Sequence, residues 1–387
     1  MVEPNKRYHL FISAAEPSGD RHCANLIKAL RQLNPDIECT GIGGPKMAAV
    51  GCRLLENTAD NASMLYNAVT EVMHYWKLLQ RIKRHFKEHT VDLVIVCDSP
   101  SFNFHVAKAA KRGGISTLFY VAPQLWAWAA WRIKKLRRTC DKLCCILPFE
   151  ETWFTARGID AVFVSNPLLD DITEDLTPNV RDYARFDPTH VKLALMPGSR
   201  PAEIATLWEP MQQIALRLKT IFPQATFTAV AANAERQQTL QSSQLPGFEC
   251  TYRVDTVRET AINVDFCLVA SGSATLEVAT TGCPMVIMYQ SSRLAWKLAG
   301  WWLVKSKYLS LVNLLADREL APEFMPYFTS IDPIVDATQT LIQNPRDLAR
   351  ISHELIRITQ PLAQKNTANE VARIAMEMLN KSRRVEY

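Results

Sequence analysis

Short aliphatic runs recur along this chain, and polar stretches with helical periodicity separate them. Such runs, rich in β-branched residues and without apolar–polar alternation, are typical of strands buried on both faces of a parallel sheet. The stretch between the first two runs has one apolar helical stripe, formed by Leu26, Ile27, Leu30 and Leu33. The alternation of the two patterns predicts βαβ units. The runs are YHLFISA, DLVIVCD, STLFYVA and KLCCILP in the first half, and KLALMPG, TFTAVAA, DFCLVAS and PMVIMYQ in the second.

The length of the chain, 387 residues, exceeds the size at which a single hydrophobic core usually stops growing. The polar stretch EDLTPNVRDYARFDPTH interrupts the strand pattern and is interpreted as a linker. We therefore predict an α/β protein with two Rossmann-like parallel-sheet domains that face each other across a cleft, followed by a helical tail. The predicted boundaries are residues 1–173, linker 174–190, residues 191–345 and tail 346–387.

Composition excludes several classes of function. The chain has 44 Lys+Arg against 39 Asp+Glu, and a net charge of +5 is too small to indicate nucleic-acid binding. Ten scattered cysteines without a secretory signal favour a reducing cytoplasm. The cluster CDKLCC (Cys140, Cys144 and Cys145) lacks a second ligand pair at zinc spacing, so no metal is expected. The apolar stretch 298–304 is too short to span a membrane.

The stretch VIVCDSPSFN places one carboxylate, Asp98, directly after a buried strand. Pro100 disfavours helical geometry in the residue before it, so the chain leaves the strand in an extended direction. Open α/β sheets bind their ligands at the carboxyl ends of the strands, which makes Asp98 a candidate functional residue. The alternative is a turn acid that bonds to local amides.

Three further stretches could bind a ligand. In AEPSGD, Ser18-Gly19-Asp20 is interpreted as the start of a helix, whose free amides can hold an anion or a sugar hydroxyl. The alternative is that these residues only cap the helix. In LMPGSRPAEI, Ser199 and Arg200 open a helix after a Pro-Gly turn and form a candidate phosphate site. In ASGSATLE, the small residues Ser271, Gly272 and Ser273 let a ligand approach, and Glu277 is placed on the first helical turn. Glu277 either binds a ribose or compensates the helix dipole.

Together these motifs resemble the lipid-A-disaccharide synthase family. AEPSGD, CDSPSFN, VAPQLWAW, LPFE, MPGSRPAE, ASGSATLE and NLLADREL occur in the family's order and spacing, from about Leu10 to Leu320. The resemblance implies an inverting glycosyltransferase of the GT-B type. It also implies UDP-2,3-diacylglucosamine as donor, 2,3-diacylglucosamine 1-phosphate (lipid X) as acceptor, release of UDP, and no metal or other cofactor.

The resemblance also implies roles for particular residues. Asp98 matches the family's general base, Arg200 would neutralise the leaving diphosphate, and Glu277 would hold the ribose. The substrate-binding residues carried over from the motifs are Glu16, Ser18, Gly19, Asp20, Ser199, Arg200, Ser271, Gly272, Ser273, Glu277, Asn313 and Arg318.

Several positions depart from the family pattern. Ser165-Asn166-Pro167 stands where the family usually has Gly-His-Pro, and Ala129 stands where it has arginine. Val312 and Asp317 replace a proline and a glycine, and Met325-Pro326 follows PEF where a glutamine is expected. Because lost polar contacts change substrate discrimination strongly, two alternatives stay open. One is a GT-B-fold transferase or epimerase acting on another UDP-N-acetylhexosamine, and the other is a non-catalytic nucleotide- or lipid-binding homologue.

A helical pattern from Met64 predicts contact with a membrane. Its apolar residues are Leu65, Ala68, Val72, Trp76, Leu79 and Phe86, and its basic residues are Lys77, Arg81, Lys83, Arg84 and Lys87. A basic amphipathic helix can lie on anionic lipid headgroups, which agrees with peripheral association with the cytoplasmic face of the inner membrane. The alternative is an ordinary crossover helix packed on the sheet. Residues 293–308 form a second candidate contact surface, and a homodimer is left open.

Overall fold

The computed structural model describes residues 7–58, 68–170, 181–291 and 307–384. The chain forms two compact units. The first contains Met1–Thr173 and Leu362–Tyr387, and the second contains Glu174–Pro361. Each unit is built around one parallel sheet with helices on its two faces, as the sequence predicts.

The first unit has a seven-stranded sheet in the order β3-β2-β1-β4-β5-β6-β7. Its strands are β1 Tyr8–Ala14, β2 Ile37–Gly43, β3 Arg53–Asn57, β4 Leu93–Cys97, β5 Ser116–Tyr120, β6 Lys142–Cys145 and β7 Ala161–Phe163. Its helices are α1 Pro17–Leu33, α2 Pro45–Ala49, α3 Ala68–Glu88, α4 Pro100–Arg112, α5 Leu125–Trp128, α6 Ile133–Thr139, α7 Pro148–Thr155 and, from the end of the chain, α15 Thr367–Arg384.

Alternate residues of each central strand enter two separate cores. Leu10 and Ile12 of β1 pack with α1 and α15 on one face. Phe11 of β1 and Val94 of β4 pack with α3 and α4 on the other face. Burial on both faces explains why these strands are continuously aliphatic in the sequence.

The second unit has a six-stranded sheet in the order β10-β9-β8-β11-β12-β13. Its strands are β8 Lys192–Met196, β9 Thr226–Ala231, β10 Thr251–Val254, β11 Phe266–Ala270, β12 Met285–Met288 and β13 Glu323–Phe324. Its helices are α8 Pro201–Ile221, α9 Ala234–Ser242, α10 Val257–Asn263, α11 Ser273–Thr280, α12 Leu311–Ala316, α13 Asp332–Ile342 and α14 Pro345–Thr359.

The structure differs from the sequence-based boundaries at two places. Within the predicted linker, Arg181 is half-buried and donates to the carbonyls of Ala261, Val264 and Thr281, so it belongs to the packed body of the second unit. The predicted tail is divided between the units. Helix α14 belongs to the second unit, whereas α15 returns to the first, where Asp170 accepts from the amides of Thr367 and Ala368.

The apolar stripe of α1 needs one correction. Leu26, Ile27 and Leu30 are fully buried, as the periodicity predicts. Leu33 is 49% exposed, because it is the last residue of the helix and lies beyond the packed core.

Candidate functional site

In the first unit, the candidate residues collect where the order of the strands reverses direction. Strands β1 and β4 are adjacent and in register at Ala14 and Cys97. The chain after β1 crosses to β2 on one side, and the chain after β4 crosses to β5 on the other. Such a switch point opens a crevice beyond the carboxyl ends of the strands. Glu16, Ser18 and Gly19 follow β1 and Asp98 follows β4, so the fold brings these predicted site residues to the same edge of the sheet.

The backbone at Asp98 turns sharply between β4 and α4. Asp98 has φ 52° and Ser99 has φ 34°, so two consecutive non-glycine residues adopt left-handed conformations. Each such residue costs on the order of 1–2 kcal/mol, and strain of this kind concentrates at functional sites. The Ser99 hydroxyl donates to Oε1 of Glu16 over 2.8 Å, which ties the turn to the start of α1.

The Asp98 carboxyl group has unusual surroundings. Both carboxylate oxygens are shielded from solvent, and neither accepts a hydrogen bond of good geometry from the described part of the chain. Burial, and then the charge of Glu16, raise the pKa of Asp98 to about 8, although the Ser99 hydroxyl and the amides of Ala15 and Gly19 act in the opposite direction. The structure therefore does not support the interpretation of Asp98 as a turn acid satisfied by local amides. A buried, unsatisfied acid with a strongly shifted pKa is typical of a functional group.

The AEPSGD motif begins its helix earlier than the sequence suggests. Helix α1 starts at Pro17 with Glu16 as its N-cap residue, and Ser18 is exposed in the first turn. Asp20 needs a correction, because its side chain is buried and accepts from three amides: Gly44 at 2.8 Å, Lys46 at 3.0 Å and Met47 at 3.0 Å. These bonds cap α2 and occupy both oxygens. Asp20 therefore holds two elements of the fold together rather than facing a substrate.

In the second unit, the candidate residues collect at the equivalent position of the other sheet. Strands β8 and β11 are adjacent, with Met196 in register with Val269. Strand β9 lies on the far side of β8, and β12 on the far side of β11. The two motifs predicted to bind a nucleotide diphosphate, at Ser199-Arg200 and at Ser271–Ser273, follow these two strands directly. They therefore share a second switch point.

The Ser199-Arg200 amides have a partner that the sequence analysis misses. Oε2 of Glu203 accepts from the amides of Ser199 (3.0 Å) and Arg200 (3.1 Å), which caps α8. Oε1 of Glu203 pairs with the Arg200 guanidinium at 3.2 Å. These two amides are therefore not free to bind a phosphate, which corrects this part of the predicted phosphate site. The Arg200 side chain is 77% exposed, so its guanidinium is the accessible cationic group of this motif.

The ASGSATLE motif leaves its backbone open. Gly272 and Ser273 are exposed, and no side chain caps the amino end of α11. A Cβ atom added at Gly272 would meet no other atom within 4 Å. The prediction that Glu277 lies on the first helical turn is wrong, because α11 begins at Ser273 and its first turn contains no acidic residue. The dipole effect fades beyond the first turn, so dipole compensation explains Glu277 poorly.

Asn313 and Arg318 have structural partners. Asn313 is fully buried, donates to the Ala321 carbonyl and to Glu323, and accepts from the amides of Leu320 and Ala321. Its amide group is fully used within the fold, which corrects its interpretation as a substrate ligand. Arg318 is partly exposed and pairs with Glu354 at 2.8 Å.

Two departures from the family pattern keep a backbone geometry that suits glycine. Ser165 has φ 72° and Asp317 has φ 51°, and both stand where the family usually has glycine. The chain therefore retains the left-handed turns although it has lost the residue that adopts them most easily. Asn166 is buried, and its side chain accepts from the amide of Leu168. Of the other changed positions, Ala129 and Val312 are fully buried, and Met325 and Pro326 are half-buried.

One buried acid near the WAW segment is missed by the sequence analysis. Glu150 is 1% exposed and accepts from the indole of Trp126 and from the amides of Ile146 and Leu147. Burial raises the pKa of Glu150 to about 7. The motif LPFE carries a signal for this role, because its glutamate is the third residue of α7 and can accept from the amides at the start of the helix.

No group of three or more His, Cys, Asp or Glu side chains suited to a metal ion occurs among residues 7–58, 68–170, 181–291 and 307–384. The predicted cysteine cluster illustrates the reason. Cys144 and Cys145 are consecutive in β6, and they enter the two cores on opposite faces of the sheet. One ion cannot bind both.

Comparison with known proteins places this geometry in context. A model of the lipid-A-disaccharide synthetase family matches residues 10–378. A lipid-A-disaccharide synthase of Geobacter metallireducens is 32% identical over 387 residues, covering 98% of this chain and 99% of the relative. A solved Staphylococcus aureus MnaA–UDP structure superposes with a TM-score of 0.64 at 14% identity, covering 96% of this chain and 97% of that one. A solved Acinetobacter baumannii MurG superposes with a TM-score of 0.58 at 15% identity, covering 96% and 99%.

Proposed function

Because this chain belongs to the lipid-A-disaccharide synthetase family and is a glycosyltransferase with the GT-B fold, we propose that Asp98 is the base of its transfer reaction. The reaction moves 2,3-diacylglucosamine from UDP-2,3-diacylglucosamine to lipid X and releases UDP. The observation that carries the proposal is the unsatisfied carboxyl group of Asp98 at the carboxyl end of β4.

The chemistry requires a base at the acceptor. In an inverting transfer, the 6-hydroxyl of lipid X attacks the anomeric carbon from the face opposite the leaving UDP. The C1–O bond to the diphosphate breaks as the new C1–O bond forms, and the proton of the hydroxyl passes to the carboxylate. A positioned base contributes about 10²–10⁴-fold to such a step. The pKa of about 8 makes Asp98 a stronger base than an ordinary carboxylate.

The same pKa limits how much of the free protein is ready to react. Near neutral pH the greater part of the Asp98 population is protonated, since its pKa is about 8. The carboxyl group must lose this proton before it can accept the proton of the acceptor hydroxyl. A hydrogen bond from that hydroxyl favours the ionised form, so acceptor binding lowers the pKa of Asp98.

The donor side of the proposal rests on the second unit. Arg200 presents an exposed guanidinium, which can fork onto two phosphate oxygens. The open backbone at Gly272 and Ser273 begins α11, where amides and the helix dipole favour an anion. Glu277, in the second turn of α11, is proposed to accept the ribose hydroxyls. These groups would stabilise the charge that develops on the leaving diphosphate.

The substrate is tested directly. Purified protein is incubated with UDP-2,3-diacylglucosamine and lipid X, and the products are identified by mass spectrometry, with UDP-N-acetylglucosamine as the control donor. The expected result is the β-1,6-linked disaccharide 1-phosphate together with UDP. UDP release from the unacylated donor alone would favour the diverged UDP-N-acetylhexosamine enzyme, and the absence of any turnover would favour a binding homologue.

We also propose that the outer surface of α3 contacts an anionic membrane. None of the described helices is long and apolar enough to cross a bilayer. Leu78 and Ile82 anchor the second half of α3 in the core, as in an ordinary crossover helix. Val72, Met73 and Trp76 in its first half are instead 69%, 54% and 61% exposed. Leu65 and residues 293–306 of the second candidate surface lie outside the described residues.

A group of cations lies along the second half of α3 and at the end of α4. A cavity of about 460 Å³ between α3 and α4 is lined by Lys83, Arg84, Lys87 and Arg112, none of which pairs with an acid in the described part of the chain. The positive field reaches His105 on α4. Burial lowers the pKa of His105, and the charges of Lys135, Lys108 and Lys83 lower it further. Mutual repulsion among these cations would be relieved by anionic headgroups.

Vesicle flotation tests this surface. Protein recovery with vesicles is expected to rise with anionic lipid and to fall when Val72 and Trp76 become serine, or when Lys83, Arg84 and Lys87 become glutamate. Ile262→Ser is the matched control, since Ile262 is an exposed apolar residue (44%) of the second unit. Recovery that does not depend on anionic lipid, or that falls by the same amount in the Ile262→Ser variant, would contradict the membrane proposal.

A further inference from the structure

The turn that carries Asp98 is held by a buried side chain from the following helix. Asn103 lies in the first turns of α4 and is fully buried. Its Nδ2 donates to the carbonyl of Cys97 and to the carbonyl of Asp98, both over 2.8 Å. One amide group therefore joins the last residue of β4 to the proposed base.

A second buried group completes the arrangement. The Ser13 hydroxyl, near the end of β1, donates to Oδ1 of Asn103 over 2.6 Å. The two carbonyls fix the orientation of the Asn103 amide, because the opposite orientation would place Oδ1 against two other acceptors. Ser13 must then be the donor. Every hydrogen-bonding atom of the Asn103 side chain thus has a partner, and all of them lie at the switch point between β1 and β4.

This arrangement opposes a specific strain. Asp98 and Ser99 are both left-handed, and an unrestrained chain would relax toward extended or right-handed geometry. A bond from Asn103 to the Asp98 carbonyl resists this rotation of the peptide unit. Buried hydrogen bonds are expensive to leave unmade, so the pair of bonds can hold a strained turn.

We propose that Asn103 is a positioning residue for catalysis, with Ser13 as its support: by fixing the Asp98–Ser99 turn, it keeps the Asp98 carboxyl group against Gly19 and within reach of the acceptor. This inference rests on the proposed role of Asp98. Asn103 itself is buried beneath the turn and acts through Asp98, not on the substrate.

The test uses kinetics and stability in the same series of full-length variants: Asn103→Ala, the milder Ser13→Ala, Asp98→Asn, and Gln212→Ala as a matched control. Gln212 is a fully buried amide of the second unit that donates to the Ser243 carbonyl and accepts from the Leu245 amide. For each variant, kcat, the donor KM, the pH dependence of kcat/KM and the melting temperature are measured.

Asn103→Ala is expected to lower kcat by about 10²-fold, the effect typical of a displaced catalytic group, with the donor KM near its wild-type value. The acid limb of its kcat/KM profile should move below that of the wild type, since a released carboxyl group loses its burial. Ser13→Ala should lower kcat and move the acid limb of the kcat/KM profile in the same directions as Asn103→Ala, but by smaller amounts. Gln212→Ala should lose thermal stability and leave the acid limb in place.

Two results would overturn the inference. If Asp98→Asn is inactive but Asn103→Ala and Ser13→Ala only lose stability, as Gln212→Ala does, Asn103 has a structural role alone and the proposed base survives. If Asp98→Asn is as active as the wild type, the proposed base fails and the inference fails with it. Should Asn103→Ala not fold, the Ser13→Ala profile decides between these outcomes.

Discussion

Gly19 lies directly against the carboxyl group of Asp98. A Cβ atom added at Gly19 would lie 2.0 Å from Oδ2 of Asp98 and 2.8 Å from its Cγ. Gly19 is buried in the first turn of α1, where its backbone conformation is helical and any residue could adopt it. Close approach to the acid, rather than an unusual backbone angle, is therefore what requires glycine here.

The variant Gly19→Ala should separate stability from activity. Alanine favours a helix over glycine by roughly 0.5–1 kcal/mol, which offsets the local contact, so we expect a melting temperature close to that of the wild type. The added methyl group displaces the Asp98 carboxyl, and kcat should fall by about 10²-fold. Calorimetry and steady-state kinetics on one preparation check both. An active Gly19→Ala would show that the carboxyl position seen here is not needed for turnover.

The raised pKa of Asp98 makes a prediction about stability as a function of pH. Below pH 4 the acid is protonated in both folded and unfolded chains and contributes nothing. Between pH 4 and its folded pKa of about 8, only the unfolded chain releases the proton, so the stability of the wild type falls as pH rises. Asp98→Asn removes this dependence. At pH 8, where the folded acid is half ionised, it should be more stable than the wild type by roughly 5 kcal/mol.

Melting temperatures of the two proteins from pH 4 to pH 9 provide the measurement. The difference should be small at pH 4, grow with pH and level off above pH 8. Glu150→Gln is a useful comparison, because burial raises the pKa of this acid as well, but its oxygens are hydrogen-bonded. A difference between Asp98→Asn and the wild type that stays constant with pH would contradict the raised pKa.

Arg200 is expected to bind the diphosphate of the donor. Loss of a charge-assisted hydrogen bond typically costs about 1.5–3 kcal/mol, so Arg200→Ala should weaken UDP binding by roughly 10- to 100-fold. Isothermal titration with UDP measures this. Arg217→Ala is the control, since Arg217 is an exposed arginine on the same helix, paired with Asp332. Equal UDP affinity in the Arg200 variant and the control would remove Arg200 from the donor site.

Ser165→Gly should stabilise the protein. Ser165 is buried at φ 72°, and the left-handed conformation costs a non-glycine residue about 1 kcal/mol. Its melting temperature should therefore rise, and Asp317→Gly should act in the same direction because Asp317 has φ 51°. Ser116→Gly, in strand β5, is the opposite control and should lower stability. A destabilised Ser165→Gly would mean that the serine side chain contributes more than its backbone strain costs.

The sequence predicts most of the central strands but none of the edge strands. All eight aliphatic runs are strands, because burial on both faces leaves a continuous apolar signal. The edge strands β3 and β10, RLLEN and TYRV, were missed because an edge strand partly exposed to water keeps polar residues. The edge strands β7 and β13 were missed because they are only three and two residues long. The interior strand β2, IECTGIG, was also missed, because glycines and polar residues interrupt its apolar run.

For the candidate site, the sequence predicts where the residues lie in the fold but not which hydrogen bonds their side chains make. Asp98 follows β4 at the switch point, as the buried run indicates. The extended exit predicted from Pro100 is wrong, because Ser99 is left-handed and α4 begins at Pro100 itself. Asp20, Asn313 and Glu203 look no different in sequence from ligand-binding residues, but each bonds to backbone amides of its own unit. Which polar groups are already satisfied depends on distances between elements that are remote in the chain. Asn103 was missed for the same reason.

The most direct measurement is the rate at which Asp98→Asn forms the disaccharide from UDP-2,3-diacylglucosamine and lipid X, with UDP affinity measured on the same protein. Asparagine keeps the shape of the side chain and cannot take the proton of the acceptor hydroxyl. We predict a kcat lower by about 10²–10⁴-fold with UDP binding unchanged. A rate equal to that of the wild type would contradict the assignment of Asp98 as the base.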